Sequence, residues 1–395
     1  MGLHKNGSLS CSVSFPFAVR SRSPYVPVCR TFPFAHHSIP KRYPMAQCWQ
    51  KFVSLLQDSR KILISSHARG DGDALGSELA LAAALRSLGY TVTVVNPDPP
   101  AETFRFLGKD FDAIRFFDGT RDQASAPDPR KMSRSEAQTY DTLLIVDTSS
   151  RSQLRSISEL ADSGHFKVLV LDHHAFADRL TPHTFSDPSQ PAAGCLVMEL
   201  LESLHVPLTL REEGASCSIA DFLFFAIATD TGWFRFPSVR PDTLRQAALL
   251  MESGASTARH YRFACENYAP GRMRLLEALS RNFTLECGGR LAYSKLEKKD
   301  FNRANAQMSD TAEMVNLLLT TSGVDVACLF TKVENGVRLN FRSRENYDVA
   351  QVAGQFGGGG HKNASGAFLG TSMTEAQKRV LPALCALFHD LTHKN

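Results

Sequence analysis

Lys167-Val168-Leu169-Val170-Leu171-Asp172-His173-His174 is the stretch from which the fold of this chain can be read. Four consecutive apolar residues, Val168 to Leu171, form a run expected of a strand buried on both faces, as in a parallel sheet. The strand delivers an acid and two imidazoles at its carboxyl end, where open α/β sheets place their ligand crevice. Three metal-competent side chains at the end of a buried strand cost stability unless something binds them.

The segments around it repeat the theme. Lys61 to Ser66 is a strand running into His67-Ala68-Arg69-Gly70-Asp71-Gly72-Asp73, and a helix follows with Leu79, Ala83, Leu85 and Leu88 facing inward and Gly89 as its stop. Val92 to Val95 is a second strand, which completes a βαβ unit with a right-handed crossover. Residues 119–139, polar and broken by Gly119, Pro127 and Pro129, are expected on the surface as a loop. Thr142 to Asp147 is another buried strand ending in an acid. Two apolar helices follow, one through Leu196, Val197, Leu200, Leu201 and Leu204. The other, through Ile219, Phe222, Leu223, Phe225 and Ala226, leads into Asp230-Thr231-Gly232.

Beyond a helical stretch at 271–282 the pattern changes to hairpins and short helices. Thr284 to Leu296 is expected to turn at Gly288-Gly289, and Val324 to Phe341 at Asn335-Gly336, a favoured type I′ pair. A helix is expected over Asp310 to Thr320 with Asp310 as its cap. A short helix at 348–356 meets Gly357-Gly358-Gly359-Gly360-His361, and the last helix starts near Thr374. The fold class is therefore α/β: a parallel-sheet domain over 45–270 followed by a smaller α+β domain over 285–395.

Bulk properties narrow the function. The 395 residues suffice for two cores, and 43% apolar content is that of an ordinary globular protein. No stretch approaches the roughly 20 apolar residues of a membrane span. Nine scattered cysteines without a C-x-x-C pair argue for a reducing, cytoplasmic setting and against a disulfide framework or zinc ribbon. The first 44 residues hold Lys5, Arg20, Arg22, Arg30, Lys41 and Arg42 and no acid. They bring +6 to a net charge of +4, so the remainder carries −2, which excludes a broad basic face for duplex binding. Rich in Ser, Pro, Phe and Arg, this segment is expected to be a disordered or mis-assigned leader upstream of Met45; a targeting segment and a functional arm are the alternatives.

Eight acids and imidazoles follow strands or helices at four distant points: His67, Asp71 and Asp73; Asp147; Asp172, His173 and His174; and Asp230. A parallel sheet brings strand ends to one edge, so these points can converge. A lone Asp at a strand end is commonly a helix cap, and Asp147 before Thr148-Ser149-Ser150 has the sequence of one. The ordered set is what argues for chemistry. Carboxylate and imidazole without thiolate suit Mn²⁺, Mg²⁺ or Fe²⁺, and this many ligands exceeds what one ion uses. Two ions roughly 3.5–4 Å apart, bridged by one carboxylate, account for the number and suit in-line displacement at phosphorus.

These residues resemble the DHH phosphoesterase superfamily, whose four motifs match His67-x₃-Asp71-x-Asp73, Asp147, Asp172-His173-His174 and Asp230-Thr231-Gly232. The resemblance implies one ion on His67, Asp71 and Asp147 and a second on Asp73, Asp147, His173 and Asp230, with Mn²⁺ the expected metal. It further implies that Asp172 orients a histidine and that His174 faces the substrate phosphate and assists the leaving oxygen. Gly70 stands where many relatives have Pro. The order Arg342-Ser343-Arg344, Gly357 to His361, Ala364-Ser365-Gly366-Ala367 is similar to the DHH-associated C-terminal domain, where relatives usually read Ala-Ala-Gly in the last motif. That similarity implies a substrate-binding role for Arg342, Arg344, Gly358, Gly359, Gly360 and His361.

The two-domain layout resembles the bifunctional oligoribonuclease and 3′-phosphoadenosine 5′-phosphate (pAp) phosphatase group. Short single-stranded RNA and pAp are then the expected substrates, no membrane partner is expected, and homodimerisation is left open. A cyclic di-AMP phosphodiesterase and a RecJ-like single-strand exonuclease are the enzymatic alternatives. A binding protein with a dead site is the non-enzymatic one; it would lack an acid among Asp71, Asp73, Asp147 and Asp230, and all four are present.

Overall fold

The computed structural model describes residues 43–119, 128–174, 178, 180–344 and 346–388. The expected leader thus lies outside the described residues, except for Tyr43 and Pro44 at the start of the helix Tyr43–Gln57.

Six parallel strands form the first sheet in the order β3-β2-β1-β4-β5-β6. They are β1 (Lys61–Ser65), β2 (Thr91–Asn96), β3 (Arg115–Phe116), β4 (Thr142–Val146), β5 (Lys167–Asp172) and β6 (Thr184–Ser186). Alternate residues point to opposite faces. Ile62, Ile64, Leu144, Val146, Leu169 and Leu171 pack under the helices Tyr43–Gln57, Gly72–Ser87, Ala193–Ser203 and Ile219–Asp230. Leu63, Leu143, Ile145, Val168 and Val170 pack on Phe117, Met132, Ala137, Leu154, Ile157 and Leu160. Burial on both faces explains why these strands are continuous apolar runs. The segment expected as a loop over 119–139 is in part a covering layer. Met132 and Ala137 are buried, a helix forms over Arg134–Ala137, and 120–127 lie outside the described residues.

Gly72–Ser87 is buried all round from Gly72 to Leu85, held between the sheet and Ile219–Asp230. Close approach of the two helices needs Gly76, where an added Cβ would stand 2.5 Å from the Phe222 carbonyl oxygen. Leu88, expected inward, is 45% exposed because the helix ends at Ser87 and Leu88 is its C-cap.

The second sheet has the order β11-β12-β10-β9-β8-β7, with β8 and β9 parallel and the other neighbours antiparallel. Its strands are β7 (Thr284–Glu286), β8 (Leu291–Leu296), β9 (Val326–Val333), β10 (Gly336–Ser343), β11 (Gly359–His361) and β12 (Ala364–Leu369). Val349–Gln355 and Met373–Ala386 cover one face, while Pro270–Arg281, Lys298–Ala304 and Met314–Leu319 cover the other. Leu275, Ala278 and Leu279 belong to this core, so Pro270–Arg281 packs with the second sheet.

Three local expectations are corrected. Gly336 pairs with Val333, so the β9–β10 turn is Glu334-Asn335, and neither residue has a positive φ. Gly336 is needed instead for close approach to the Leu369 carbonyl. The helix expected from Asp310 begins at Met314, because the Asp310 carboxylate accepts the Gln307 N–H at 2.7 Å and closes a separate 3₁₀ turn over Met308–Thr311. Cys287 and Cys385 are joined by a disulfide. Their separation of 98 residues hides in sequence that the turn after β7 lies beside the last helix. Cys195, Cys217, Cys265 and Cys328 are free thiols. Among the described residues no helix is long and apolar enough to cross a membrane.

Candidate metal centre

β1 and β4 are neighbours at the point where strand order reverses, and β5 lies beside β4. Such a reversal opens a crevice at the carboxyl ends of the strands. The loop after β1 places His67 and Asp71 there. The Asp71 carboxylate caps Gly72–Ser87 by accepting the N–H groups of Asp73 (3.0 Å) and Ala74 (3.1 Å). Asp73 sits in the first turn of that helix, and its oxygens accept the Ala193 (2.6 Å) and Gly194 (2.9 Å) amides, which open the helix Ala193–Ser203. Asp230 is the last residue of Ile219–Asp230. Asp147 follows β4 with φ +60° and caps no helix; Ser150 holds that position for the turn that follows.

The side chains meet. His67 Nε2 lies 3.4 Å from Asp147 Oδ2 and 3.8 Å from Asp71 Oδ1. His173 Nε2 lies 3.2 Å from Asp147 Oδ1, 3.5 Å from Asp230 Oδ2 and 3.8 Å from Asp73 Oδ2. Three sets of donor atoms have every member within 4.8 Å of the others: His67, Asp71 and Asp147; Asp73, His173 and Asp230; and Asp147, His173 and His174. The first two sets hold six of the residues singled out from sequence, and Asp147 of the first lies beside His173 of the second.

The donor set fits divalent cations on two observations. Asp147 Oδ1 is buried and makes no aligned hydrogen bond despite its closeness to His173. Each imidazole also spends Nδ1 on a backbone carbonyl, His67 on Ala68 at 3.1 Å and His173 on Gln190 at 3.3 Å. A ring whose Nδ1–H donates to a carbonyl keeps its Nε2 lone pair for an ion.

Electrostatics agree. Burial would lower both histidines, but the carboxylates of Asp147 and Asp71 raise His67 to about 11, and those of Asp147, Asp73 and Asp230 raise His173 to about 10. Burial and the charge of Asp147 push Asp230 up to about 7 and Asp73 well above the carboxylate range. Burial would also raise Asp147, yet the two imidazoles hold it below that range. Carboxylates crowded until they retain protons are a site built for positive charge.

Asp172, fully buried, accepts from the His174 ring at Nδ1 (2.8 Å) and from the His174 N–H (3.2 Å). Its other oxygen accepts the Ser149 hydroxyl. Ser149 and the Gln190 carbonyl were not legible as site groups; only the polar run after β4 hints at the former.

In the second domain, Arg342 and Arg344 both flank Met314–Leu319. Arg342 reaches Glu313 Oε1 at 3.4 Å, and Arg344 donates to the carbonyls of Val324 (2.8 Å) and Leu319 (3.2 Å). Gly358, Gly359 and Gly360 are not a free loop. Gly359 and Gly360 lie in β11, an edge strand paired with β12, and a Cβ on Gly358 would collide with the Gly366 carbonyl. His361 ends that strand; its side chain lies outside the described part of the structure.

Comparison with known proteins agrees with this architecture. The pattern described as "DHH family, N-terminal domain" matches residues 61–227, and the DHHA1 domain matches 288–390. The bifunctional oligoribonuclease and PAP phosphatase NrnA of Thermus thermophilus is 31% identical over 86% of this chain and 95% of its own length. The protein of the same name from Bacillus subtilis is 24% identical over 78% of this chain and 88% of its own. An exopolyphosphatase-related protein from Bacteroides fragilis shares the fold, with a TM-score of 0.77 at 23% identity over 87% of this chain and 97% of that one. With motif order, sheet topology and full-length similarity in agreement, the chain belongs to the DHH family, its DHH domain joined to a DHHA1 domain.

Proposed function

We propose that this protein is a divalent-metal-dependent phosphoesterase that hydrolyses short oligoribonucleotides to mononucleotides and pAp to AMP and phosphate. One observation carries the reading: six donors from four separate points in the chain gather in one crevice, where Asp147 lies 3.4 Å from His67 of one donor set and 3.2 Å from His173 of the other. The substrate class is supported by similarity over nearly the whole length to proteins named for those two activities.

His67, Asp71 and Asp147 are assigned to one ion, and Asp73, Asp147, His173 and Asp230 to a second. Mn²⁺ is the preferred metal, with Mg²⁺ and Fe²⁺ as alternatives. When bound, such a pair activates water and neutralises charge on the phosphoryl oxygens. The protein's own groups do the rest. Asp172 fixes the His174 ring through Nδ1, and that ring is assigned to protonate the leaving oxygen. Arg342, Arg344, Gly358 to Gly360 and His361 are assigned to the far end of the substrate. Arg342 exchanges its long contact with Glu313 for a phosphate. The catalytic domain is placed at 45–270 and the substrate domain at 285–395, in a cytoplasmic protein.

The test is incubation of the full chain with Mn²⁺ and, separately, dinucleotides, pAp and cyclic di-AMP. Mononucleotides and AMP should form and EDTA should stop both reactions. Faster turnover of cyclic di-AMP than of pAp would move the protein to the cyclic dinucleotide class. Absence of turnover on every substrate would remove the assignment.

A further inference from the structure

Glu78 is a fully buried acid in the middle of Gly72–Ser87, and it belongs to none of the donor sets at the metal centre. An ionisable group sealed inside an apolar layer destabilises a fold unless it is paired, and a leucine of similar volume would fill the same space without that cost. Burial raises its carboxyl to about 7 even with hydrogen bonds to it. Its contacts explain the choice of residue. Glu78 Oε2 accepts from Asn96 Nδ2 at 3.0 Å. Asn96, itself 3% exposed, ends β2, and its Oδ1 accepts the Ser66 N–H at 3.2 Å. Ser66 immediately precedes His67. The chain of contacts therefore runs from an acid, through an amide, to the backbone beside a metal-centre imidazole.

The Ser66 amide lies one residue past the end of β1, where no strand neighbour takes it and Asn96 substitutes for one. The next two residues with fixed amides are Ala68, held by the Gln153 carbonyl at 2.8 Å, and Arg69, held by Asp98 at 3.0 Å. Asp98 is in turn held by Arg155 at 2.9 Å and 3.1 Å. His67 thus sits between anchored amides, and the one on its strand side is set by Asn96. An asparagine amide can present Oδ1 to Ser66 or rotate to present Nδ2. With Nδ2 donating to Glu78 and Oδ1 accepting the Ser66 N–H, the two contacts hold the amide in one orientation.

We propose that Glu78 is a positioning residue of the metal centre: by orienting Asn96 it fixes the Ser66 backbone and so sets where His67 presents Nε2. This rests on the reading that His67 holds an ion.

The experiment is a Mn²⁺ titration of the full chain followed by electron paramagnetic resonance, with thermal melts alongside, for wild type, Glu78→Gln, Glu78→Leu and Asn96→Ala. Wild type should bind two ions. Glu78→Gln keeps an acceptor oxygen for Asn96 and should bind both within about threefold of wild type, whereas Glu78→Leu and Asn96→Ala should weaken one of the two ions by about 10–100-fold and leave the other unchanged. Should Glu78→Leu fail to fold, Asn96→Ala decides. Melting points that fall while both ions bind as in wild type would reduce Glu78 to a structural residue and overturn the proposal. Equal loss in Glu78→Gln would overturn it as well, because the hydrogen bond survives there. A wild-type protein that binds no Mn²⁺ would sink the ion reading itself and this inference with it.

Discussion

Asp147 holds φ at +60°, a conformation that costs a non-glycine residue of order 1–3 kcal/mol and persists where the surroundings impose it. Asparagine tolerates the same backbone, so Asp147→Asn removes the charge and keeps the turn. Dinucleotide hydrolysis by that variant should fall by more than about a hundredfold, the upper range for a mere supporting residue, with Mn²⁺ binding lost at both positions. Retained activity in a steady-state assay would contradict its assignment to both proposed ions. The histidines set the pH dependence. Without metal, His67 and His173 hold protons to about 11 and 10, so an ion must displace them. Apparent Mn²⁺ affinity should therefore rise with pH across about pH 6 to 9, with proton release visible as a buffer-dependent heat in calorimetry; a flat profile would contradict the shared charge. In the ion-free protein those raised values mean that the imidazole–carboxylate pairs stabilise the fold at neutral pH and below, a contribution that disappears as pH climbs through 10 to 11. At this scale much was readable beforehand. His67, Asp71, Asp147, His173 and Asp230 follow strands or helices in a fixed order, and such placement survives any detail of packing. The hydroxyl of Ser149 on Asp172 was not, because which serine turns inward depends on backbone angles that carry no sequence pattern.

The helix Ile219–Asp230 gives its carboxyl end to the metal centre and its amino end to a buried pair. His260 Nε2 lies 3.0 Å from Asp221 Oδ1, and Asp221 also closes a capping box with Ser218. Burial would raise Asp221, but bonds from His260 and Ser218 outweigh it and hold the carboxyl down at about 2. A depressed carboxylate stabilises the fold above its unfolded value, so this contribution should vanish as pH falls from about 4 towards 2. Denaturant melts of wild type and Asp221→Asn should converge over that interval. At the other contact of the same helix, Gly76→Ala should cost about 1–3 kcal/mol through overpacking against Phe222 and should weaken ion binding, since the two helices that carry Asp73 and Asp230 are forced apart. A variant as stable as wild type would show that the helices can yield there. Helix and strand positions followed from periodicity, but the reasons for several glycines did not. Gly336 sits before a hydrophobic strand in what looks like a turn pair, and only the neighbouring strand β12 shows that it serves close approach instead.

At the scale of the whole chain, the donor sets proposed to hold ions lie at the edge of the first sheet. Anything that binds the native state alone stabilises it by mass action, so EDTA should lower the melting temperature; ions at about a hundred times their dissociation constant contribute about 2.7 kcal/mol. A melting curve indifferent to chelator would argue that the crevice holds no ion. The strand-order reversal between β1 and β4 has a further consequence. The loop after β1 and the helix Gly72–Ser87 carry His67, Asp71 and Asp73 on one side of it; the loops after β4 and β5 and the helix Ile219–Asp230 bring Asp147, His173 and Asp230 on the other. A polypeptide severed between Phe117 and Asp128 would leave each fragment with three of the six donors, neither sufficient alone. If the crevice holds ions as proposed, rejoining the fragments would become a metal-dependent association, and the crevice a detachable clasp between two halves of one domain.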